Sequence, residues 1–205
     1  RAANQLTMSV NLPAMFGLVV VADVAVPTLF GHQWAGTAPL LQILCLAGAL
    51  YPLQVSNLQV LMAQGHSRLM FRLEVIKKAI LVASMLIASH WGLQAIAWST
   101  VFSALIAFLV NAHYSRTMIG YGPLKQLRDL GAYITLTAGM VALVALLAYT
   151  LAWLTPGKRL LLDLTAGAAF YVSAAAMLRL PAVAYASEVL RSLRNRTGVP
   201  PDKRI

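Results

Sequence analysis

The sequence predicts an all-α polytopic membrane protein, a bundle of about six transmembrane helices. Of its 205 residues, 60% are hydrophobic and only 11% are charged, whereas about a quarter of the residues in a soluble domain are charged. A hydrocarbon core about 30 Å thick needs about 20 apolar residues per helix, and six runs approach that length. They cover residues 10–30, 38–63, 73–90, 93–112, 130–154 and 160–180. Barrel strands would alternate polar and apolar residues in pieces of about ten, and these runs do not.

The first run, 10–30, contains one acid, Asp23, between Pro13 and Pro27. An ionised group at the bilayer centre costs about 2.5 to 3.5 kcal/mol on insertion scales, so an acid inside a span usually faces protein or water. Asp23 is therefore a candidate for proton or cation coupling, or for contact with a polar cargo. Its position towards the external side favours the alternative that it snorkels outward or accepts a structural hydrogen bond.

The second run contains YPLQVSNLQVLMAQG, residues 51–65, which places polar side chains on both sides of one helix. At about 100° per residue, Gln54 and Asn57 share a face, and other polar side chains lie nearly opposite. One neighbour cannot cover both sides, so this helix is predicted to be central, with Gln54 and Asn57 lining a wet cavity. Hydrogen bonds between helices, worth about 0.6 kcal/mol each in membranes, explain the amides equally well. Pro52 removes a backbone donor and predicts a kink near Gly48.

A basic amphipathic segment, residues 67–78, leads into the third run. It contains the cations Arg68, Arg72, Lys77 and Lys78. Glu74 is predicted to pair with Lys78 at i,i+4 spacing. Anchoring at the cytoplasmic surface explains most of the pattern, and the same cations would also attract a lipid headgroup that carries a pyrophosphate.

All six runs are separated by turn-forming segments. The runs from 10 onwards are divided by GHQWAGTAP, QGHSR, HWG, HYSRTMIGYGPLKQLRD and TPGKR, all rich in glycine, proline or polar residues. The four tryptophans are predicted to lie near the external helix ends, where indoles anchor at the membrane interface. They are Trp34, Trp91, Trp98 and Trp153.

After Pro181 the chain becomes basic and polar. Residues 182–196 are predicted to form a short interfacial helix that turns Arg191 and Arg194 towards lipid headgroups. The last eight residues, GVPPDKRI, are predicted to be disordered. A regulatory contact with another protein is the alternative for this tail.

The distribution of basic residues predicts the orientation. If the chain start is cytoplasmic, fourteen of the sixteen Lys and Arg residues fall on the cytoplasmic side, and only Lys158 and Arg159 fall outside. This bias on alternate loops follows the positive-inside rule. Because the basic residues lie between apolar spans, not on one soluble face, nucleic acid is not a predicted partner.

The motifs of common enzymes do not occur in the sequence. It has no Gly-rich phosphate loop, no H-E-x-x-H, no G-x-S-x-G and no acid cluster that would hold Mg²⁺. The four histidines lack the spacing of metal ligands, and the single Cys45 lies in an apolar run. We therefore predict a protein that is not an enzyme and that has neither a metal nor a cofactor.

Two stretches together resemble a known family. NLPAMFGLVVVADVAVPTLFGHQWAGTAPLLQILCL is followed by YPLQVSNLQVLMAQGHSRLMFRLEVIKK. The shared features are a proline early in the first run, a Phe-Gly-x-x-Trp turn and the run LLQILCL. They continue with an asparagine followed by spaced Leu, Ala and Gly residues, and with three basic residues after it. Their residues are Pro13; Phe30, Gly31, Trp34, Gly36 and Ala38; Asn57, Leu61, Ala63 and Gly65; and Arg72, Lys77 and Lys78. This order resembles the polysaccharide-transport family of lipid-linked oligosaccharide flippases, the O-antigen flippase type, in the multidrug, oligosaccharidyl-lipid and polysaccharide exporter superfamily.

The resemblance implies two six-helix lobes that face each other across a cavity. Alternating access would move an undecaprenyl-pyrophosphate-linked glycan between the leaflets of the bacterial inner membrane. Residues 1–128 would form the last four helices of the C-terminal lobe, 129–181 an additional helix pair and 182–205 a basic cytoplasmic tail. The chain is thus expected to be part of a longer protein. The implied partners are the bilayer, the lipid-linked oligosaccharide, the N-terminal lobe and the polysaccharide polymerase machinery.

These inferences combine into one functional prediction with three alternatives. Gln54 and Asn57 would line the cavity, Asp23 would be a coupling acid, and Arg68, Arg72, Lys77 and Lys78 would contact the pyrophosphate. A drug/cation antiporter of the same superfamily is one alternative, and it would require a protonatable acid deep in the cavity. A membrane glycosyltransferase or ligase that uses the same lipid carrier is another. The third is a purely structural membrane subunit.

Overall fold

The apolar runs fold into helices long enough to cross a membrane. The computed structural model describes residues 2–151, 153–178 and 180, with side chains described from residue 4 onwards. Over these ranges it contains seven α-helices and no strand, which confirms the all-α class. The helices are α1 (Ala2–Phe30), α2 (Ala38–Ala63), α3 (Ser67–Ala88), α4 (Leu93–Ile119), α5 (Pro123–Asp129), α6 (Gly131–Thr150) and α7 (Pro156–Met177). Two short 3₁₀ helices, His32–Thr37 and Ser89–Trp91, follow α1 and α3. The predicted tail helix, 182–196, lies outside the described residues.

Five helices, α1, α2, α4, α6 and α7, are long and apolar enough to span a bilayer. The chain is therefore a multi-pass membrane protein. The remaining long helix, α3, has 22 residues and is about 33 Å long at 1.5 Å per residue. Its length suits a span, but its first twelve residues contain four cations and an acid. The predicted number of about six spans thus corresponds to five apolar helices and one amphipathic helix.

The segment predicted as a long loop after the fourth span is mostly helical. Helix α4 continues to Ile119 and ends at Gly120, whose φ of 67° is the left-handed conformation that glycine adopts without strain. The N–H of Gly120 donates to the carbonyl of Arg116 at 2.9 Å. Pro123 then begins α5, where its missing N–H costs nothing. Gly120 and Pro123 thus separate the short helix α5 from α4, and the hydropathy pattern does not predict this helix.

Helix α1 lies between two groups of helices. On one side it packs against α2, which makes its most extensive contact with α4, and α3 packs on α4. On the other side α1 packs against the α6–α7 pair. One apolar core, which includes Met8, Leu53, Phe108, Met140 and Tyr171, joins both groups. The terminal pair therefore shares its core with the preceding helices.

Pro52 interrupts the hydrogen-bond ladder of α2, and a side chain of α1 compensates. In an α-helix the N–H of residue 52 would bond to the carbonyl of residue 48, but proline has no N–H. Asn11 donates from Nδ2 to the carbonyl oxygens of Gly48 and Ala49, at 3.3 Å each. The two helices are close here, since a Cβ on Gly48 would lie 3.0 Å from Sδ of Met15. The proline is tolerated in a membrane helix because the neighbouring helix supplies a donor.

This arrangement predicts that Asn11 and Pro52 are energetically coupled. Asn11→Leu should lower the free energy of unfolding by about 1 kcal/mol, because it leaves the Gly48 carbonyl without a compensating donor. In a Pro52→Ala background the same substitution should cost less, since residue 52 then supplies its own N–H. Unfolding of the four proteins in detergent, titrated with sodium dodecyl sulfate, measures both costs. Equal costs in the two backgrounds would show that Asn11 does not compensate for the proline.

Candidate functional site

A cavity of about 380 Å³ lies between α2, α3 and α4. Small residues make room for it, among them Ala47 and Gly48 on α2 and Ala104 and Ala107 on α4. Its polar wall consists of Gln54, Glu74, Lys77, Lys78, Thr100, Ser103 and Asn111. A hollow with both charged and amide groups therefore lies beside the second predicted span.

A chain of hydrogen bonds connects the three helices across this cavity. Lys77 on α3 donates from Nζ to Oε1 of Glu74, with which it also forms an ion pair. The same ammonium donates to Oδ1 of Asn111 on α4 at 3.1 Å. Asn111 donates in turn to the Gln54 carbonyl at 3.3 Å, and the Gln54 side chain donates to the Ala104 carbonyl at 3.0 Å. The network fixes one ammonium, one carboxylate and two amides at the cavity wall.

The four cations of the basic segment lie in different surroundings in the structure. The Lys77 side chain is 10% exposed and lies in the network, whereas Lys78 is exposed and lines the same cavity. Arg68 and Arg72 are exposed at the start of α3 and do not line it. The predicted i,i+4 pair of Glu74 with Lys78 is wrong. Glu74 pairs with Lys77 at i,i+3, because Lys77 points towards α4, where Asn111 provides a second acceptor.

Asn57 does not line the cavity. It donates from Nδ2 to Oε1 of Gln126 on α5 at 3.0 Å, and Gln126 donates from Nε2 to Oδ1 of Asn57 at 2.8 Å. Gln126 also donates to the Tyr121 carbonyl at 3.1 Å. Asn57 is 2% exposed and Gln126 is fully buried. The structure thus directs the Asn57 amide to Gln126 of α5, where it joins two helices, and not to the cavity wall that the sequence predicts for it.

The hydrogen bonds between Asn57 and Gln126 predict that substitutions of these two residues have non-additive effects on the free energy of unfolding. Asn57→Leu or Gln126→Leu alone leaves the other amide buried without its partner and should lower the free energy of unfolding by about 1 to 2 kcal/mol. The double variant should cost clearly less than the sum, because it removes both amides together. Detergent unfolding with sodium dodecyl sulfate provides the measurement, and Gln59→Leu, at an exposed position of α2, is the control. Additive costs would contradict the pairing.

Asp23 lies at a different cavity. It is exposed, and its Oδ2 accepts a hydrogen bond from Nε2 of Gln42 at 3.3 Å. Gln42 also donates to the Val19 carbonyl at 3.1 Å. The cavity beside Asp23 has a volume of about 330 Å³ and includes His32 and Arg159. Asp23 thus makes the structural hydrogen bond that was its alternative role, and it is not brought together with Gln54 and Lys77.

A buried ion pair on α7 escaped the sequence prediction. Nε of Arg159 lies 3.8 Å from Oδ2 of Asp163, which is only 3% exposed. The other carboxylate oxygen, Oδ1, has no hydrogen-bond partner among the described residues. The i,i+4 spacing of the two charges was a usable signal, but the predicted span began at Leu160 and left Arg159 in the loop. Glu74, Asn111 and Gln126 were likewise not predicted as parts of a site.

Comparison with known proteins supports the predicted resemblance. Over 102 residues the chain is 30% identical to the lipopolysaccharide biosynthesis protein WzxC of Escherichia coli K12, a match that covers 50% of this chain and 20% of that protein. It is 30% identical over 103 residues to the teichuronic acid biosynthesis protein TuaB of Bacillus subtilis 168, covering 50% and 21%. It is 31% identical over 83 residues to an uncharacterised membrane protein in the cps region of Klebsiella pneumoniae, covering 40% and 17%. The match thus spans about a fifth of the length of these relatives. No protein-family model and no solved structure matches the chain.

Proposed function

The chain is a multi-pass membrane protein that resembles the polysaccharide-transport family, and from this premise we propose that it moves a lipid-linked oligosaccharide across the bacterial inner membrane. The cargo would be an undecaprenyl-pyrophosphate-linked glycan used for surface polysaccharide synthesis. The protein would act as a transporter, without making or breaking a covalent bond. Polysaccharide polymerase machinery would then receive the delivered unit.

The observation that carries the proposal is the polar cavity between α2, α3 and α4. Charged groups inside a membrane protein usually mark a path for a polar ligand, and ammonium groups bind phosphate oxygens. Lys77 and Lys78 supply two such groups, and Gln54, Thr100 and Asn111 add hydrogen-bonding groups beside them. The volume of about 380 Å³ suits a headgroup better than a complete oligosaccharide. We propose that the pyrophosphate binds here and that the glycan extends towards the N-terminal lobe.

Alternating access would place this cavity at the cytoplasmic side when the cargo binds. The positive-inside rule puts the start of α3 in the cytoplasm. Lys77 lies ten residues after Ser67, about 15 Å along the helix axis, so it can reach a headgroup that enters from the inner leaflet. In this orientation both the N-terminal end of the chain and its C-terminus are cytoplasmic. Residues 1–128 would belong to the C-terminal lobe, 129–181 to the extra helix pair and 182–205 to the tail.

One observation favours a second candidate, a drug/cation antiporter of the same superfamily. Such a protein requires an acid in the cavity, and Glu74 occupies that position, whereas Asp23 does not. The pairing of Glu74 with Lys77 argues against a site for organic cations, because a cation would have to compete with an ammonium that already binds this carboxylate. The lining of the cavity, with one acid and two lysines, fits an anionic ligand better.

A leaflet-transfer assay with the full-length protein tests the proposal. Reconstituted vesicles would receive a fluorescent polyprenyl-pyrophosphate oligosaccharide, and an impermeant quencher would report the fraction in the outer leaflet. We expect transfer of chemically unchanged lipid, above the rate in vesicles that contain heat-denatured protein. Cleavage or extension of the lipid, detected by mass spectrometry, would identify an enzyme instead. Transport of ethidium without transfer of the lipid would identify the antiporter.

A further inference from the structure

Asn111 of α4 uses both ends of its side-chain amide at the cavity, although it is only 1% exposed. Its Oδ1 accepts a hydrogen bond from Nζ of Lys77 on α3 at 3.1 Å, and its Nδ2 donates to the main-chain carbonyl of Gln54 on α2 at 3.3 Å. A flipped amide would turn its N–H groups towards an ammonium and its oxygen towards a carbonyl oxygen, and both bonds would be lost. The Gln54 carbonyl therefore fixes Asn111 in the orientation that offers Lys77 an acceptor.

We propose that Asn111 is a positioning residue, which holds the Lys77 ammonium at the cavity so that it can bind a phosphate oxygen of the cargo. This inference rests on the proposed function. An ammonium has three N–H donors, and Glu74 and Asn111 accept two of them. Since the bonds of the nitrogen are tetrahedral, two fixed N–H groups also fix the direction of the third. One oriented N–H of Lys77 is thus left for a ligand.

The packing of α3 explains why Lys77 needs a partner on another helix. Among the described residues α3 buries only Leu73 and Ala88, so little apolar packing fixes its rotation about its own axis. The lysine side chain is a flexible four-carbon stem, and Glu74 lies on the same helix and moves with it. Asn111 lies on α4, which packs extensively against α2. It therefore ties the ammonium to the α2–α4 pair.

The chemistry of an amide suits this role better than that of an acid. An amide oxygen accepts a hydrogen bond without adding a charge. A carboxylate at position 111 would also bind Lys77, but together with Glu74 it would place two negative charges at the wall and repel an anionic headgroup. With Asn111 the cavity wall has one acid and two lysines. The ammonium is thus held in place without a further loss of positive charge.

A purely structural role for Asn111 makes a different prediction, and Asn57 provides the comparison. Asn57 is an equally buried amide that joins two helices, but it lies outside the cavity wall. If Asn111 only joined helices, its loss would lower stability and leave the affinity of the folded protein for a phosphate ligand unchanged. If Asn111 positions Lys77, the affinity must fall, and it must fall only while Lys77 is present.

A double-mutant cycle on the full-length protein, in nanodiscs of uncharged lipid with farnesyl pyrophosphate as the probe, tests this dependence. Asn111→Leu should weaken binding about tenfold in the wild-type background and less than about twofold in a Lys77→Met background. Asn57→Leu should leave the dissociation constant within about twofold. Asn111→Ser should match Asn111→Leu if the larger apolar side chain prevents folding, because its hydroxyl can bond to the carbonyl one turn earlier in α4.

The other outcomes of this cycle separate the inference from the proposed function. Equal losses in the two backgrounds, or no loss in either, would overturn the inference and leave the proposed function standing. If the wild-type protein binds no more farnesyl pyrophosphate than empty nanodiscs do, the proposed function itself fails.

A second measurement reports the position of Lys77 without any ligand. Lysines are acetylated with acetic anhydride and located by mass spectrometry, and the ratio of Lys77 to Lys78 acetylation is taken within one sample. This ratio should rise in Asn111→Leu, because the ammonium has lost one of its two acceptors and reaches the reagent more freely. It should stay unchanged in Asn57→Leu. An unchanged ratio in Asn111→Leu would show that Asn111 does not hold Lys77, and would overturn the inference.

Discussion

Replacing Lys77 by methionine should reduce transport by the full-length protein about 30-fold or more, a loss of about 2 kcal/mol, because it removes a hydrogen-bonded ammonium from a partly buried charge pair at the cavity. Methionine keeps the length and the apolar stem of the side chain but removes the ammonium. Glu74 then faces the cavity without its partner and repels an anionic headgroup, and Asn111 loses its donor. The initial rate of leaflet transfer in reconstituted vesicles, normalised to folded protein, measures the effect.

Two further variants separate transport from stability in this experiment. Lys125→Met removes an exposed lysine of α5 that does not line the cavity and should leave the rate within about twofold, as expected for a surface substitution. Lys77→Met combined with Glu74→Gln removes the unpaired carboxylate and should recover stability, but not transport. A purely structural subunit predicts the opposite, namely that any loss follows stability. Normal transport by the folded Lys77→Met protein would rule out this cavity as the cargo site.

The class of the protein could be predicted from the sequence because the bilayer imposes it. Twenty apolar residues in a row leave few options other than a spanning helix, and this criterion found α1, α2, α4, α6 and α7. The same criterion could not find α5, because seven residues are too few to show a helical period. The sequence therefore did not predict Gln126 as the partner of Asn57, because Gln126 lies on α5, 69 residues further along the chain.

The site could be predicted only in part because a hydrophobic pattern fixes a helix but not its rotation. Gln54 and the basic segment were identified as polar groups within or beside spans, and the structure places Gln54, Lys77 and Lys78 at one cavity. Adjacent residues of a helix point about 100° apart, so only the packing of α3 against α4 decides that Lys77 pairs and Lys78 stays free. Both lysines belong to the polar residues of this amphipathic segment, and the sequence does not indicate which of them faces α4.

Replacing Arg159 by glutamine should lower the free energy of unfolding by about 2 to 3 kcal/mol, the largest stability effect expected in the described helices. Asp163 is almost completely buried, and Arg159 is the only charged group that it pairs with among the described residues. Glutamine leaves this buried carboxylate without its charged partner in a region of low dielectric constant. Unfolding with sodium dodecyl sulfate in detergent, followed by circular dichroism, measures the change.

The neighbouring residue and a double variant make this expectation specific to the ion pair. Lys158→Gln removes the adjacent, exposed cation and should change stability by less than about 0.5 kcal/mol. Arg159→Gln combined with Asp163→Asn should recover most of the loss, because a neutral amide costs less to bury than a lone charge. If Arg159→Gln and Lys158→Gln lowered the free energy of unfolding equally, the pairing of Asp163 with Arg159 would not contribute to stability. A loss confined to Arg159→Gln would instead show that this pair stabilises the start of α7, and with it the packing of the terminal helix pair on α1.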